Sequence, residues 1–262
     1  MLRPDKLGAV LEIATKVGIS IEYVETNSSW FQDIDSAKDL LTQLSGKGLH
    51  TLLVSISPFH NEQIPFSRVQ GVIKAARQVG VDIFPWITDF ISDLSRFDPA
   101  KSHSLDEYRQ VYGDDYLMQI LQRYWIHLGG RALETFRPWL GEKTFQHILD
   151  ENPGGCAAEL TDTSHFHIDL FGNYIPGLCA GLAIWKDDLG TPLSMEKYPI
   201  LVNLYLNGIR GLFELARENY GFSPQRTNYI NKCDLCTEIR AHLVKKDYNE
   251  SKELKPIEYY MQ

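Results

Sequence analysis

The chain has 262 residues, 44% of them hydrophobic, and a formal net charge of −8. A chain of this length and composition can bury a substantial core, as one large domain or one domain with a smaller one. The acidic balance excludes a nucleic-acid partner, because no basic run or stripe is present to neutralise phosphates. The apolar stretches are far shorter than the roughly 20 residues of a membrane helix, so no membrane partner is expected.

Three helix–strand units are predicted in the first ninety or so residues. The first helix begins at Pro4, the second is capped by Asp35 or Ser36, and the first and third end at Gly18 and Gly80. Runs rich in β-branched residues follow each helix and predict strands over 19–26, 49–57 and 81–87. Alternating helices and strands favour parallel pairing with right-handed crossovers, and therefore an α/β fold.

The pattern weakens over 92–124, where a polar and helical stretch is predicted, and resumes with an apolar run over 124–128. This run is interpreted as a strand that ends in the turn 129–132, Gly-Gly-Arg-Ala. Arg131 would then lie at the carboxyl edge of the sheet, where α/β proteins bind ligands. The alternative is a loop arginine that pairs with a nearby carboxylate.

A second, smaller module is predicted after residues 153–155, Pro-Gly-Gly. Short apolar runs over 165–169 and 174–176, separated by a Gly-Asn turn, predict a β-hairpin. A helix is predicted over 237–244, with a Cys-Asp-Leu-Cys pair on its opening turn. The amino terminus of a helix is expected to favour thiolate over thiol.

Four cysteines lie in this module: Cys156, Cys179, Cys233 and Cys236. The N-terminus lacks a signal-peptide pattern, so the chain is expected in the cytoplasm, where thiols are free, catalytic or metal-bound rather than paired. Because Cys156 and Cys179 flank the hairpin, they can approach each other, and the later pair can complete a tetrahedral sulfur site for zinc or an iron–sulfur cluster. The alternatives are buried, unreactive thiols and a thioredoxin-like redox pair.

A different metal site is suggested by the hairpin itself. His165, His167 and Asp169 alternate along the first strand and therefore share one face. Such a set can bind a catalytic zinc with an open position for water, as in a metal-dependent hydrolase. The alternative is a solvated hairpin face with polar residues.

Four segments, residues 1–7, 25–27, 54–60 and 130–132, resemble parts of radical S-adenosylmethionine (radical SAM) enzymes. Residues 1–7 look like the segment that follows Gly-Gly-Glu-Pro in that family, and residues 25–27 resemble its Thr-Asn-Gly strand end. Residues 54–60 are similar to the fourth strand, whose serine contacts adenosylmethionine, and residues 130–132 look like a turn after a late barrel strand. The resemblance implies that Asn27 and Ser57 contact the cofactor and that Arg131 engages a carboxylate of substrate or cofactor.

The C-terminal region resembles the twitch or SPASM-type extension of the same family. That extension combines a cysteine, a His-x-Asp-x-x-Gly-Asn hairpin, a Pro-Gly-x-Cys segment and a later Cys-x-x-Cys, which together hold an auxiliary 4Fe-4S cluster. The matching positions here are Cys156, the hairpin from His167, Cys179, and the pair Cys233 and Cys236.

One departure affects activity. The Cys-x-x-x-Cys-x-x-Cys loop that binds the catalytic cluster of radical SAM enzymes does not occur in this sequence. The resemblance therefore implies the C-terminal part of a longer enzyme, truncated before Met1 and inactive alone, and no catalytic residue is assigned. Its implied partners are a small-molecule or peptide substrate and a reductant such as a flavodoxin or ferredoxin.

The fold expected from this resemblance is a partial parallel (βα) barrel that lacks its first strands, followed by a small α+β cluster-binding module. The expected boundaries are 1–150 for the partial barrel, 151–246 for the module and 247–262 for a polar tail.

Overall fold

A computed structural model describes residues 3–86, 88–246 and 251–261. The chain divides into two compact units, residues 1–119 and 120–262. The boundary expected after residue 150 lies inside the second unit, because the short strand Lys143–Thr144 pairs there with Asn228–Tyr229.

The first unit contains three parallel strands that form one sheet in the order β1-β2-β3. Its strands are β1 (Val24–Thr26), β2 (Thr51–Ser55) and β3 (Asp82–Trp86). The helices up to the division between units are α1 (Pro4–Lys16), α2 (Ile34–Ser45), α3 (Pro58–Asn61), α4 (Phe66–Gln78), α5 (Phe90–Leu94), α6 (Leu105–Tyr112) and α7 (Tyr116–Arg123), which contains the division point. The mixed α/β class and the parallel pairing are confirmed.

The starts of the helices follow the sequence signals closely. The first helix begins at Pro4 as predicted, with proline in its first turn. The second helix is capped by Asp33 rather than by Asp35 or Ser36, because the Asp33 carboxylate accepts a hydrogen bond from the Ser36 amide at 2.8 Å. The amides of the first helical turn have no partner within the helix. A proline in that turn has no amide hydrogen to satisfy, and the Asp33 side chain accepts from one of the amides.

The strands are shorter than predicted. Only residues 24–26 of the first predicted strand pair with β2, and Ile19 is 61% exposed. A residue is part of a strand only where its backbone can pair with a neighbouring strand. The pattern of apolar residues along the sequence does not show where that pairing ends, so it overestimates strand length. Ile87, the predicted end of the third strand, lies outside the described residues.

The strand predicted over 124–128 is wrong. This segment follows α7 without regular structure and pairs with no described strand, and Trp125 is 73% exposed. The turn after it does form: Gly130 has a φ of 53° and precedes the helix Arg131–Phe136. Arg131 therefore begins a helix in the second unit instead of ending a barrel strand.

The second unit is built from helices with very short antiparallel strands. The helices are α8 (Arg131–Phe136), α9 (Phe145–Glu151), α10 (Ala157–Thr161), α11 (Pro199–Tyr220) and α12 (Lys232–Lys245), and 3-10 turns cover Arg137–Trp139, Lys186–Asp188 and Ile257–Tyr260. The strands are β4 (Lys143–Thr144), β5 (His167–Ile168), β6 (Asn173–Ile175), β7 (Ile184–Trp185) and β8 (Asn228–Tyr229). β5 and β6 pair antiparallel, which confirms the hairpin, and β7 extends that sheet.

The residues expected to form a polar tail partly belong to the core of the second unit. Within the described stretch 251–261, Glu253 and Leu254 are fully buried and Tyr260 is 8% exposed. Leu254 and Tyr260 belong to the same apolar core as α11 and α12. The polar composition of the segment did not predict this packing, because a few buried side chains are enough to hold an otherwise polar segment against the core.

None of the described helices combines the length and the apolar character needed to cross a bilayer.

Candidate functional site

All four cysteines line one cavity of about 430 Å³ in the second unit. Their thiols are free of disulfides. Much of the remaining wall is aliphatic, from Leu160, Leu178, Leu182, Leu204 and Ile209. The cavity thus brings together the cysteine set that the sequence predicted, although the first and last members are 80 residues apart in the chain.

Cys156 is placed by a close crossing of two backbone segments. Its amide donates to the Leu204 carbonyl at 2.8 Å, on α11. That helix is broken at Gly208, whose φ of 61° and ψ of −150° are non-helical. A Cβ on Gly208 would lie 2.1 Å from the Gly154 carbonyl oxygen, and one on Gly155 would lie 2.1 Å from the Tyr205 carbonyl oxygen. Only glycines allow this approach, so they fix where Cys156 enters the cavity.

Cys179 lies on a tight turn after the hairpin. Its amide donates to the Pro176 carbonyl at 3.0 Å, and its own carbonyl accepts from the Leu182 amide at 3.0 Å. The chain is therefore hydrogen-bonded on both sides of the thiol.

Cys233 and Cys236 lie on the first turn of α12, as predicted. The cap is Asn231, whose side-chain oxygen accepts from the amides of Cys233 and Asp234, each at 3.0 Å. Arg137 anchors the same turn, with two guanidinium nitrogens 3.0 Å from the two carboxylate oxygens of Asp234. This buried, bidentate pair holds the cysteine-bearing turn against the rest of the unit.

Three of the four thiols lie in surroundings that disfavour the thiolate. Burial raises the pKa of Cys156 to about 11 and that of Cys179 to about 12. Cys233 is exposed, yet the protein around it still raises the pKa of its thiol through desolvation, with a further contribution from Cys236. The expectation that the helix terminus favours thiolate is therefore wrong for Cys233, where desolvation is the largest contribution to the pKa.

A buried guanidinium, Arg240, lines the cavity beside the cysteines. It is 4% exposed, and Nη1 donates to the Ala180 carbonyl and the Tyr260 hydroxyl, both at 2.8 Å. Its Nε has no hydrogen-bond partner. Burial opposes the charge of Arg240, but the pKa of its guanidinium is raised, with Tyr260 as the largest favourable contribution.

Two further polar side chains border the cavity. Lys232 forms an ion pair with Glu159, and this pair together with nearby thiols raises the pKa of Lys232 against the effect of burial. His127 also lines the cavity, and burial lowers its pKa, so its ring is neutral at pH 7. The cavity wall therefore includes the positive charges of Arg240 and Lys232 and one carboxylate, Glu159, which pairs with Lys232.

The thiols border a shared space instead of converging on one point. Among residues 3–86, 88–246 and 251–261, no three His, Cys, Asp or Glu side chains are grouped as a site for a single metal ion. A tetrahedral zinc site would need four donors at about 2.0–2.3 Å from one centre.

The alternative trio on the hairpin has a different arrangement. The Nε2 atoms of His165 and His167 are 3.1 Å apart. The Asp169 carboxylate instead accepts from the amides of Phe171 and Asn173, at 2.8 and 2.9 Å, and so closes the hairpin turn. Among the described residues, these three side chains therefore do not form a group that could hold a metal ion.

The remaining predicted site residues fall in different units. In the first unit, Ser57 is buried and its hydroxyl lies 2.7 Å from Nδ1 of His60, while Asn27 is exposed and its side chain accepts from the Ser29 amide at 3.1 Å. Both follow the carboxyl ends of neighbouring parallel strands, β2 and β1. Arg131 is exposed in the second unit.

Sequence reasoning missed Arg240, Lys232 and His127. A signal for Arg240 was present, since it lies four residues after Cys236 and seven after Cys233 and so shares their face of α12. Its neighbours Ile239 and Leu243 are buried, which marks that face as interior.

Comparison of the chain with family models, with curated proteins and with solved structures finds no match in any of the three.

Proposed function

We propose that the chain takes part in radical SAM chemistry and that Cys156, Cys179, Cys233 and Cys236 hold an auxiliary 4Fe-4S cluster. The family assignment rests on the sequence resemblance. Under this assignment, the three parallel strands of the first unit are part of a (βα) barrel. Because the sequence has no Cys-x-x-x-Cys-x-x-Cys, the proposal assigns this chain no radical-forming step.

One observation carries the proposal for the second unit. Four cysteines line the same cavity as Arg240, a buried guanidinium that pairs with no carboxylate of the described residues. A cluster bound by four thiolates carries net negative charge, which an adjacent guanidinium compensates. The cavity of about 430 Å³ has room for a group larger than one ion. Both its volume and its charge therefore favour a cluster over a single zinc ion.

The chain's own residues would perform three tasks at this site. The four thiols would hold the cluster as thiolates, because coordination to iron removes the proton of a thiol. The aliphatic wall limits access of water, and Lys232 and Arg240 supply positive charge. A bound cluster would supply one-electron transfer or a surface that orients substrate.

In the first unit, the proposal gives Ser57 and Asn27 contacts with adenosylmethionine. Arg131 is assigned to a carboxylate of substrate or cofactor. The partners are a small-molecule or peptide substrate and a one-electron reductant such as a flavodoxin or ferredoxin. The proposal places the chain in the cytoplasm, where thiols stay reduced.

Anaerobic reconstitution with iron and sulfide tests the cluster. We expect about four irons and four sulfides per chain, with visible absorbance that Cys236→Ala abolishes. The double variant His165→Ala/His167→Ala is the matched control, because it removes metal-binding side chains of the same unit outside the cavity, and it should keep the full cluster.

Two other outcomes would contradict the proposal. A colourless protein with about one zinc per chain would identify a zinc-stabilised binding module. Metal that is lost in the histidine variant but kept in the cysteine variant would identify the hydrolase site at His165, His167 and Asp169.

A further inference from the structure

We propose that Arg240 is the positioning residue that sets the reduction potential of the group bound by the four cysteines. Its guanidinium would stabilise the reduced, more negative state and so raise the potential. This inference rests on the proposed function, because it needs a redox-active group in the cavity.

The position of Arg240 supports this role. It lies one helical turn beyond Cys236 and two beyond Cys233, on the same side of α12, and it lines the same cavity. Its two Nη atoms are engaged with Ala180, Tyr260 and Thr237, whereas Nε has no partner. Arg240 Nε is thus a buried donor that no described residue satisfies.

The charge of Arg240 is also unmatched. Among the described residues, its hydrogen-bond partners are the Ala180 carbonyl and the hydroxyls of Tyr260 and Thr237, and none is a carboxylate. Arg137, in the same unit, shows the usual arrangement, since it pairs with Glu134, Glu142 and Asp234. A guanidinium stays charged at any physiological pH, and burying it without a counter-charge is strongly unfavourable. A negatively charged occupant of the cavity removes that penalty.

Reduction of the site transfers one electron from a one-electron donor to the bound group and makes it more negative by one charge. The cation beside it then interacts more favourably with the reduced form than with the oxidised form. Hydrogen bonds and charges near an iron–sulfur cluster are known determinants of its potential.

A structural contribution must be separated from the electrostatic one. The Tyr260 hydroxyl accepts from Arg240 and donates to the Gly181 carbonyl, so both residues secure the turn that carries Cys179. Tyr260→Phe removes these hydrogen bonds but leaves the guanidinium in place. It is therefore the matched control for a purely structural effect.

The test uses the full chain, reconstituted anaerobically, with the midpoint potential measured by a titration that is followed by electron paramagnetic resonance. We expect Arg240→Gln to shift the potential to more negative values, Arg240→Lys to retain most of the wild-type value, and Tyr260→Phe to change it least. Equal potentials in wild type and Arg240→Gln, or equal shifts in Arg240→Gln and Tyr260→Phe, would overturn the role of Arg240.

If Arg240→Gln takes up no cluster, the uptake measured for Arg240→Lys distinguishes a role of the charge from a role of the hydrogen bonds. Uptake by Arg240→Lys at the wild-type level supports charge compensation, and failure of both overturns it in favour of the hydrogen-bond geometry. A wild-type chain that binds no iron and sulfide would overturn the proposed function itself. That result differs visibly from a loaded wild type whose potential is insensitive to Arg240.

Discussion

The two units differ in what their interiors contain. In the first, the strands β1 to β3 and their helices bury mainly aliphatic side chains, and most of the buried polar residues are neutral, such as Thr26 and Asn61. In the second, the longest strand has three residues, and the interior includes the charged residues Asp234, Arg240 and Glu253. The second unit also contains the cavity lined by the four cysteines.

This difference indicates where each unit gains its stability. A buried charge persists only where hydrogen bonds and opposite charges compensate its lost hydration. Asp234 and Glu253 have such partners inside the unit, whereas Arg240 has none that is negative at neutral pH. The second unit is therefore expected to depend on an occupant of its cavity more than the first unit does.

The largest expected effect comes from loading the cavity. A ligand that binds only the folded form adds its binding free energy to folding, about 4 kcal/mol at a concentration of 1,000 times its dissociation constant. Anaerobic loading with iron and sulfide should slow amide hydrogen exchange in α12 by several hundredfold or more and leave β2 unchanged. Equal protection of both segments would show that the units do not differ in this way.

The next effect concerns the crossing that places Cys156. Gly208→Ala should destabilise the second unit by about 3 kcal/mol or more, since it combines a backbone conformation reserved for glycine with a direct overlap. Gly221→Ala, at the end of the same helix with a φ of 65° and no atom within 4 Å of the added Cβ, should cost only about 1 kcal/mol. Urea unfolding followed by far-UV circular dichroism measures both, and equal losses would rule out the overlap as the cause.

The buried carboxylate of Glu253 has a smaller expected effect. It accepts from the amides of Ile200 and Leu201 at 3.0 and 2.8 Å and so caps the first turn of α11. Glu253→Ala should lower the free energy of unfolding by about 2–3 kcal/mol, because two buried amides lose a charged acceptor.

Glu258→Ala is the matched control for that change. Glu258 is an exposed acidic residue of the same segment, and its loss should change stability by less than about 0.5 kcal/mol. If both variants behaved alike in urea unfolding, the segment 251–261 would contribute little to the second unit.

The smallest expected effect lies in the first unit. Burial lowers the pKa of His60 below its ordinary value of 6.5, against an opposing contribution from Glu25. The unfolded chain therefore binds a proton at a higher pH than the folded chain, and stability falls as the pH drops below 6.5. Comparing urea midpoints at several pH values between 7.5 and 5, we expect a shallower dependence in His60→Gln; identical slopes would contradict a buried, neutral ring.

Local signals predicted the first unit well because its elements are decided by nearby residues. Pro4 and the helix-ending glycines act through the backbone within one turn, so helix positions were close to those observed. The cap of α2, Asp33, lies two residues before the first predicted candidate. Strand ends depend on pairing with distant segments, which explains why β1 covers only the last three residues of its predicted range. The run 124–128 had strand composition and no partner to pair with.

The candidate site was predictable only in its cysteines. Their spacing around the hairpin and their place on α12 are properties of short segments. The contributions of Arg240 and of residues 251–261 required tertiary structure, because a charged residue or a polar segment is usually solvated. The crossing of Gly155 with α11 joins segments that are about fifty residues apart, and no local pattern records it.

The contact between Arg240 and Tyr260 also has a consequence for synthesis. Cys156 leaves the ribosome about a hundred residues before Tyr260, which at roughly 5–20 residues per second is an interval of about 5–20 s. Until Tyr260 reaches Arg240, the turn that carries Cys179 lacks its final hydrogen bonds. The nascent chain therefore passes through a period in which its thiols are more open to oxidants, or to a protein that delivers iron and sulfide, than they are in the folded protein.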